Sequence, residues 1–277
     1  VSGDLRLTPL RDGIAARRLE GIAPAEVYLD TRPMTCAAPS AAIRRGPQAT
    51  DEQVDQLLFG EPFEVLEDEG RFVFGEARRS GYVGFVEAAN LAPRVPAPTH
   101  WIAALRTYAF EGPSIKSRAI GPFSINSLVR IEATEGRLVL AAGAGWMAAD
   151  HVTPIGIVST DWTGVAEQFL AAPYLWGGRE SLGLDCSGLV QQALFACGRA
   201  CPRDTDQQAG LGRPIAADEF GRGDLVFWKG HVAIGLGGGR IIHANAHHMA
   251  VSIEPLDTAI ARISGNGYGE PTAFRRL

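Results

Sequence analysis

Two stretches of the chain echo each other, and the echo limits what its first half can fold into. "FEVLEDEGRFVFGEARRSGYVGFVEAANLAP" (Phe63 to Pro93) and "VRIEATEGRLVLAAGAGWMAADHVTPI" (Val129 to Ile155) share a pattern of Glu-Gly-Arg, large apolar residues around a valine, then glycine before an aromatic. The shared positions are Glu69-Gly70-Arg71 with Gly81-Tyr82, and Glu135-Gly136-Arg137 with Gly145-Trp146. A repeat of short strands separated by turn residues predicts small β-barrels. Two are expected, over residues 33–95 and 101–156, joined by the Pro-rich bridge "APRVPAPTH" (Ala92 to His100), which suits a stiff linker. Residues 1–32 read as an irregular or partly helical lead-in packed on them.

From about Ser159 the pattern changes. "DWTGVAEQFLAAPY" has helical spacing in Val165, Phe169 and Leu170 and is stopped by Pro173. In "LDCSGLVQQALFACG" a second helical stripe runs through Leu189, Val190, Ala193, Leu194 and Cys197, with Gly198 where a helix should end. The remainder alternates and turns like a small antiparallel sheet, so residues 159–277 are expected to form an α+β domain. With 277 residues, 46% of them hydrophobic, there is ample material for a core. A net charge of -5 leaves no basic footprint for nucleic acid or anionic membrane. No apolar run approaches the ~20 residues of a membrane span. The charged opening "VSGDLRLTPLRDG" is unlike a signal peptide, so the expectation is cytoplasmic, or periplasmic or secreted if a leader was removed before Val1.

Four cysteines, Cys36, Cys186, Cys197 and Cys201, are too few for a disulfide framework, and mostly free thiols are expected. Cys197 and Cys201 lack a second Cys or His pair at zinc-finger spacing. Cys186 falls in the first turn of its helix, facing unpaired backbone N–H groups and the positive end of the helix dipole, which favour thiolate. Position alone leaves it as a packed small hydrophobe, a disulfide half, a metal ligand or a nucleophile. The last needs a base. His231 opens "HVAIGLG", and His243 lies in "RIIHANA" beyond the glycine turn. In a hairpin centred on Gly237 the two imidazoles become direct cross-strand neighbours, with Cα atoms roughly 4.5–5.5 Å apart, whereas a one-residue slip separates them onto opposite faces. One histidine could then activate the thiol while the other orients the first. His247 and His248 read as a polar strand end. His243 and His247 are four apart, as zinc on a helix would need, but their surroundings read as strand and turn. "GLGGGR" joins strand to strand, a hairpin turn rather than a phosphate loop.

"PYLWGG", "LDCSGLVQ", "PRDTDQQ", "GDLVFWKGHVAIGLG" and "IIHANA", in this order, resemble the motif set of the NlpC-type cell-wall cysteine peptidases, a papain-like superfamily. The upstream repeats resemble bacterial SH3-like barrels. Together they resemble the γ-D-glutamyl-L-diamino acid endopeptidases, which cut peptidoglycan stem peptides carrying a free amino-terminal L-Ala. The fold class implied is α+β, a papain-like domain whose Cys helix packs on an antiparallel sheet, preceded by two SH3-like β-barrels. By motif, the catalytic roles fall to Cys186 (nucleophile), His231 (base) and His243 (orienting residue).

For substrate binding the resemblance implies Tyr82, Tyr174, Trp176, Asp185, Ser187, Asp204 and Thr205. Tyr82 is an aromatic lent by the first barrel, Asp204 the acid that meets the substrate amine, and Thr205 a hydroxyl beside it. A further first-barrel acid is expected among Asp51, Glu52 and Glu61. Tyr82, Tyr174 and Trp176 could equally be packed aromatics, and Asp185 a helix cap. The second barrel, poor in exposed anchors, reads as structural. The chemistry needs no metal or organic cofactor, and the expected partners are stem peptides. Two alternatives use the same sequence features: an amidase or acyltransferase on the same thiol–imidazole scaffold, and a non-catalytic binding protein for wall fragments.

Overall fold

Each Glu-Gly-Arg copy sits in a hairpin turn. Strand Pro62–Asp68 turns into Phe72–Ala77, and strand Ile131–Glu135 into Leu138–Ala141. The next strands, Val83–Glu87 and Gly145–Ala148, each lead through one 3-10 turn (Ala88–Asn90, Ala149–His151) into a closing strand, Leu91–Pro93 or Val152–Pro154. The sequence echo is therefore a repeated topology. The computed structural model describes residues 3–93 and 97–277, so Arg94, Val95 and Pro96 of the expected linker lie outside the described residues. The chain divides into two units, Val1–Ile155 and Gly156–Leu277.

In the first unit, a seven-stranded sheet carries the first copy around a core of Cys36, Ile43, Leu57, Phe63, Val65, Val73 and Val86. The second copy forms a five-stranded and a three-stranded sheet around Ile102, Ala109, Phe123, Val129 and Met147. Phe59 from the first copy belongs to the second core, its ring edge-on to Phe123 at 5.2 Å. The two copies are thus packed together rather than strung on a linker. The lead-in differs from expectation: it contains a three-stranded sheet (Leu10–Arg11, Ile14–Ala16, Val27–Leu29), with one 3-10 turn before it and another ahead of its third strand. Its Ala16 and Ile14 close a second apolar cluster with Leu66, Phe72, Phe74 and Phe85, which gives those aromatics a cover.

The second unit has a six-stranded antiparallel sheet in the order Arg213–Pro214, Ala273–Arg276, Asp224–Trp228, His231–Gly237, Arg240–Asn245, Ala250–Pro255. Helix α1 (Trp162–Gln168) begins at Asp161, whose carboxylate accepts from Gly164 N–H at 3.0 Å. Helix α2 (Cys186–Ala196) packs on α1 and on strands His231–Gly237 and Arg240–Asn245. It is buried on every side, Gln191 and Gln192 included, not along a single stripe. Its end is a paired cap, with Gly198 N–H donating to Phe195 O (2.9 Å) and Arg199 N–H to Leu194 O (3.0 Å). Two further helices, α3 (Thr205–Gln208) and α4 (Leu256–Ile263), complete the unit, and α4 covers Val226, Trp228, Ala233 and Ile241 of the sheet. A π-helical turn, Ser264–Tyr268, follows α4.

Candidate active site

Cys186 is the first residue of α2, and the preceding Asp185 caps the helix. Asp185 accepts from Gly188 N–H (2.7 Å) and Gly177 N–H (2.9 Å), and Arg203 clamps both of its oxygens at 2.9 and 2.6 Å. Arg203 also donates to Ser187 Oγ at 2.8 Å and is fully buried. The thiol sulfur lies within hydrogen-bonding reach of the backbone N–H groups of Val232 and Ser187. That contact puts the sulfur beside the strand residue that follows His231.

The His231–His243 hairpin corrects the expected register. Its turn is Gly238-Gly239, with Gly237 paired to Arg240, and positive φ at both central residues is what a two-residue hairpin turn requires. A bulge then falls between Gly235 and Gly237, after which Gly235 pairs with Ile241 and Ile234 with Ile242. Together, the displaced turn and the bulge shift the pairing by two residues from that of a hairpin centred on Gly237. A shift of two keeps every side chain on its face. His243 therefore falls opposite Ala233 by continuation of that register and is a diagonal neighbour of His231. Their rings still meet: His231 Nε2 and His243 Nδ1 are 2.8 Å apart.

The chain of contacts continues to residues that the sequence reading passed over. His243 Nε2 lies 2.7 Å from Glu254 Oε1, and the same oxygen is paired with Arg262 of α4. Ser252 pairs with His243 and Glu254 with Ile241, so Glu254 is diagonal to His243 on one face. The signal was an acid alternating with apolar residues in "AVSIEPL". Both nitrogens of His243 are thus taken, which leaves none for His247. His248 instead contacts Asn245 Oδ1 (3.0 Å) and Ser252 Oγ (3.1 Å).

Burial dominates the electrostatics. It pushes the Cys186 thiol up from 9.0 to about 12, with Asp185 adding to the effect. That corresponds to about 4 kcal/mol against the thiolate. A helix terminus typically offers only ~0.3–1 kcal/mol. Burial therefore opposes the thiolate that the helix start favours. Burial, then the neighbouring His243, lowers His231 to about 3, and burial also lowers His243. The Tyr174 phenol is held above its ordinary range by burial and then by Cys186 and Asp185, which places it near both.

A cleft of ≈ 520 Å³ opens beside His231, walled by Tyr174, Trp176, Trp228, Arg262 and Tyr268 among others. Trp176 is 59% exposed on its rim. Of the residues expected to bind substrate, Tyr174 and Trp176 share this cleft with His231, while Asp185 and Ser187 are buried in the cap of α2. Asp204 stands at the N-cap of α3, its N–H donating to Gln207 Oε1 at 3.2 Å, and Thr205 follows it; both are half-buried. Tyr82 belongs to the first unit and is buried, its N–H donating to Ser80 Oγ at 3.3 Å.

The three candidate acids of the first unit have local partners. Asp51 accepts from Gln48 N–H (2.8 Å) and Glu52 pairs with Arg45 (2.8 Å). Glu61 is fully buried between Leu58 N–H and Arg79, each at 3.0 Å. Asp55, not considered from sequence, is equally buried and accepts from Ser80 Oγ at 2.9 Å. Cys36, Cys186, Cys197 and Cys201 are all in the thiol form.

Residues 171–264, which hold Cys186, both histidines and Glu254, match the NlpC/P60 family. The chain carries an NlpC/P60 domain. Residues 43–91 match the bacterial dipeptidyl-peptidase Sh3 domain. The chain is 26% identical over 230 residues to a gamma-D-glutamyl-L-lysine dipeptidyl-peptidase of Bacillus subtilis, covering 74% of this chain and 76% of the relative. It is likewise 26% identical to dipeptidyl-peptidase 6 of Lysinibacillus sphaericus, over 76% of this chain and 87% of that one. An NlpC/P60 family protein from Bacillus cereus shares the fold, with a TM-score of 0.74 at 20% identity over 88% of this chain and 99% of that one. The NlpC/P60 domain makes this a peptidase with a papain-like fold, preceded by an SH3 domain.

Proposed function

We propose that the chain is a cysteine endopeptidase that hydrolyses the γ-D-glutamyl to L-diamino acid bond of peptidoglycan stem peptides, acting on those with a free amino-terminal L-Ala. The observation that carries this reading is that the Cys186 sulfur lies beside Val232 N–H, the residue after His231, whose ring in turn meets buried His243 at 2.8 Å. The name of the Bacillus subtilis relative, a gamma-D-glutamyl-L-lysine dipeptidyl-peptidase, supports the bond, and the Lysinibacillus relative is likewise named a dipeptidyl-peptidase. Both strand repeats are assigned as SH3-like barrels, at 33–95 and 101–156, with the catalytic domain at 159–277. Tyr174 and Trp176 would line the substrate path. Asp204 and Thr205, with Tyr82 of the first barrel, are assigned to the amino-terminal end of the substrate on the family resemblance.

The reaction starts from a neutral pair. As Cys186 Sγ bonds to the γ-carbonyl carbon, its proton passes to His231. The resulting imidazolium, oriented by His243, gives that proton to the departing amine as the C–N bond breaks. Water then opens the thioester with His231 as base. The Cys186 backbone N–H at the helix start is assigned as an oxyanion donor, a role typically worth about 2.7–4 kcal/mol of barrier. Cys186→Ala should abolish turnover of L-Ala-γ-D-Glu-diamino acid while peptide binding persists. Product masses from free and glycan-linked stems would identify the bond. Cleavage elsewhere, or full activity in the variant, sinks this reading.

A further inference from the structure

Glu254 and Arg262 are joined to the two histidines in one hydrogen-bonded array, and with both imidazoles neutral its hydrogen bonds admit a single arrangement of protons. A carboxylate can only accept. Arg262 supplies the cation that keeps Glu254 ionised: burial raises its carboxyl, but the bonds from His243 and Arg262 outweigh that and hold it below the usual range. At 2.7 Å from Glu254 Oε1, His243 Nε2 must therefore carry the proton. A neutral imidazole has only one N–H, so His243 Nδ1 is a bare acceptor. Across the 2.8 Å contact His231 Nε2 must then be the donor, and its own proton is spent there. His231 Nδ1 is left with a lone pair, the state a general base needs.

We propose that Glu254, held by Arg262, is a positioning residue that fixes the tautomers of both histidines and stabilises the imidazolium that forms on His231. The proposal rests on the cysteine-peptidase reading and extends it by one link. Without Glu254, His243 can take the opposite tautomer and present Nδ1–H to His231 Nε2. His231 would then carry its proton on Nδ1, with no lone pair there to accept the thiol proton. With Glu254, the thiol proton moves to Nδ1 as the S–C bond forms, and the new positive charge lies along a hydrogen-bonded line that ends in a carboxylate. The charged and titratable groups around His243 are Glu254 from the neighbouring strand, Arg262 from α4, and His231 and His248. Arg262 also lines the cleft, so the far end of the array forms part of its wall.

The test compares wild type with Glu254→Gln, which keeps the shape and removes the charge. Three readouts apply: kcat and KM on the stem peptide, ¹⁵N chemical shifts of the imidazoles, and the rate of iodoacetamide labelling of Cys186, located by peptide mapping. The expected result is a kcat lower by roughly 10–100-fold, the range of lost outer-shell partners. KM should stay within about twofold, in keeping with an effect on the chemical step rather than on binding. Histidine shifts should leave the Nε2–H pattern, and labelling should slow. Unchanged tautomers with unchanged labelling would overturn the proposal.

If Glu254→Gln does not fold, Arg262→Gln decides. Loss of the cation lets Glu254 protonate at higher pH, so the acid limb of labelling should move up, and an unmoved limb overturns the proposal. Labelling and ¹⁵N shifts need no substrate. A wrong assignment of the bond would leave them intact, which separates failure of the array from failure of the functional reading.

Discussion

His231 shows how burial sets the working form of a residue. Its imidazole is lowered to about 3 by burial and then by His243, so the neutral base persists in acid where an exposed histidine is already charged. The acid limb of kcat/KM should therefore lie well below the ordinary histidine value of about 6.5. A limb near 6.5 on a pH-rate profile would show that His231 is hydrated and that the neutral-pair mechanism is wrong. The same shift couples to folding. Between about 3 and the ordinary value of about 6.5 the unfolded chain binds a proton on His231 that the folded chain does not, so stability falls as pH drops through that window. Urea midpoints measured from neutral to acid pH should fall accordingly. The position of Cys186 at a helix start was legible from "LDCSGL", but the direction of its thiol shift was not. The helix end is a local property, whereas the burial that outweighs it comes from the strands packed on α2.

At the scale of elements, α2 is fixed to its surroundings through its cap. Arg203 is 1% exposed and holds both oxygens of Asp185, so the two charges are buried together. Breaking such a pair by removing one partner usually costs about 3–5 kcal/mol, because the other charge is left uncompensated. Arg203→Met should lower the unfolding free energy by that order, read as a lower urea midpoint, and it should also slow Cys186 labelling, since the cap sets the direction of the helix start. Unchanged stability would mean that the N–H groups of Gly177 and Gly188 suffice for Asp185. The motif "PRDTDQQ" drew attention to Asp204 and Thr205, while the arginine ahead of them was passed over because its partner lies 18 positions upstream. The histidine hairpin was only half legible for a related reason. Three successive glycines, all with positive φ, allow several turn centres, and the bulge that returns both rings to one face is set by pairing across the sheet.

At the scale of the whole chain, the strand repeat was legible because each copy carries its own turn residues, but its integration was not. Phe59 follows the strand Gln53–Leu58 of the first copy and inserts into the core of the second. Gly60 follows at φ +79, and a Cβ there would meet Leu128 O at 2.0 Å. Leu128 N–H bonds back to Phe59 O at 2.8 Å, and Arg79 joins buried Glu61 to Asn126 O. Two independent barrels on a linker would lose stability one at a time. Two cores interlocked through Phe59 predict that both lose it together. Phe59→Ala should cost about 3–5 kcal/mol, the usual range for emptying an aromatic site. It should expose Cys36, buried in the first core, and Met147, buried in the second, in a single cooperative step. Thiol labelling of Cys36 and oxidation of Met147, followed across a urea gradient, should then share one midpoint, lower than in wild type. Midpoints that separate in the wild-type chain would show that the two copies fold independently.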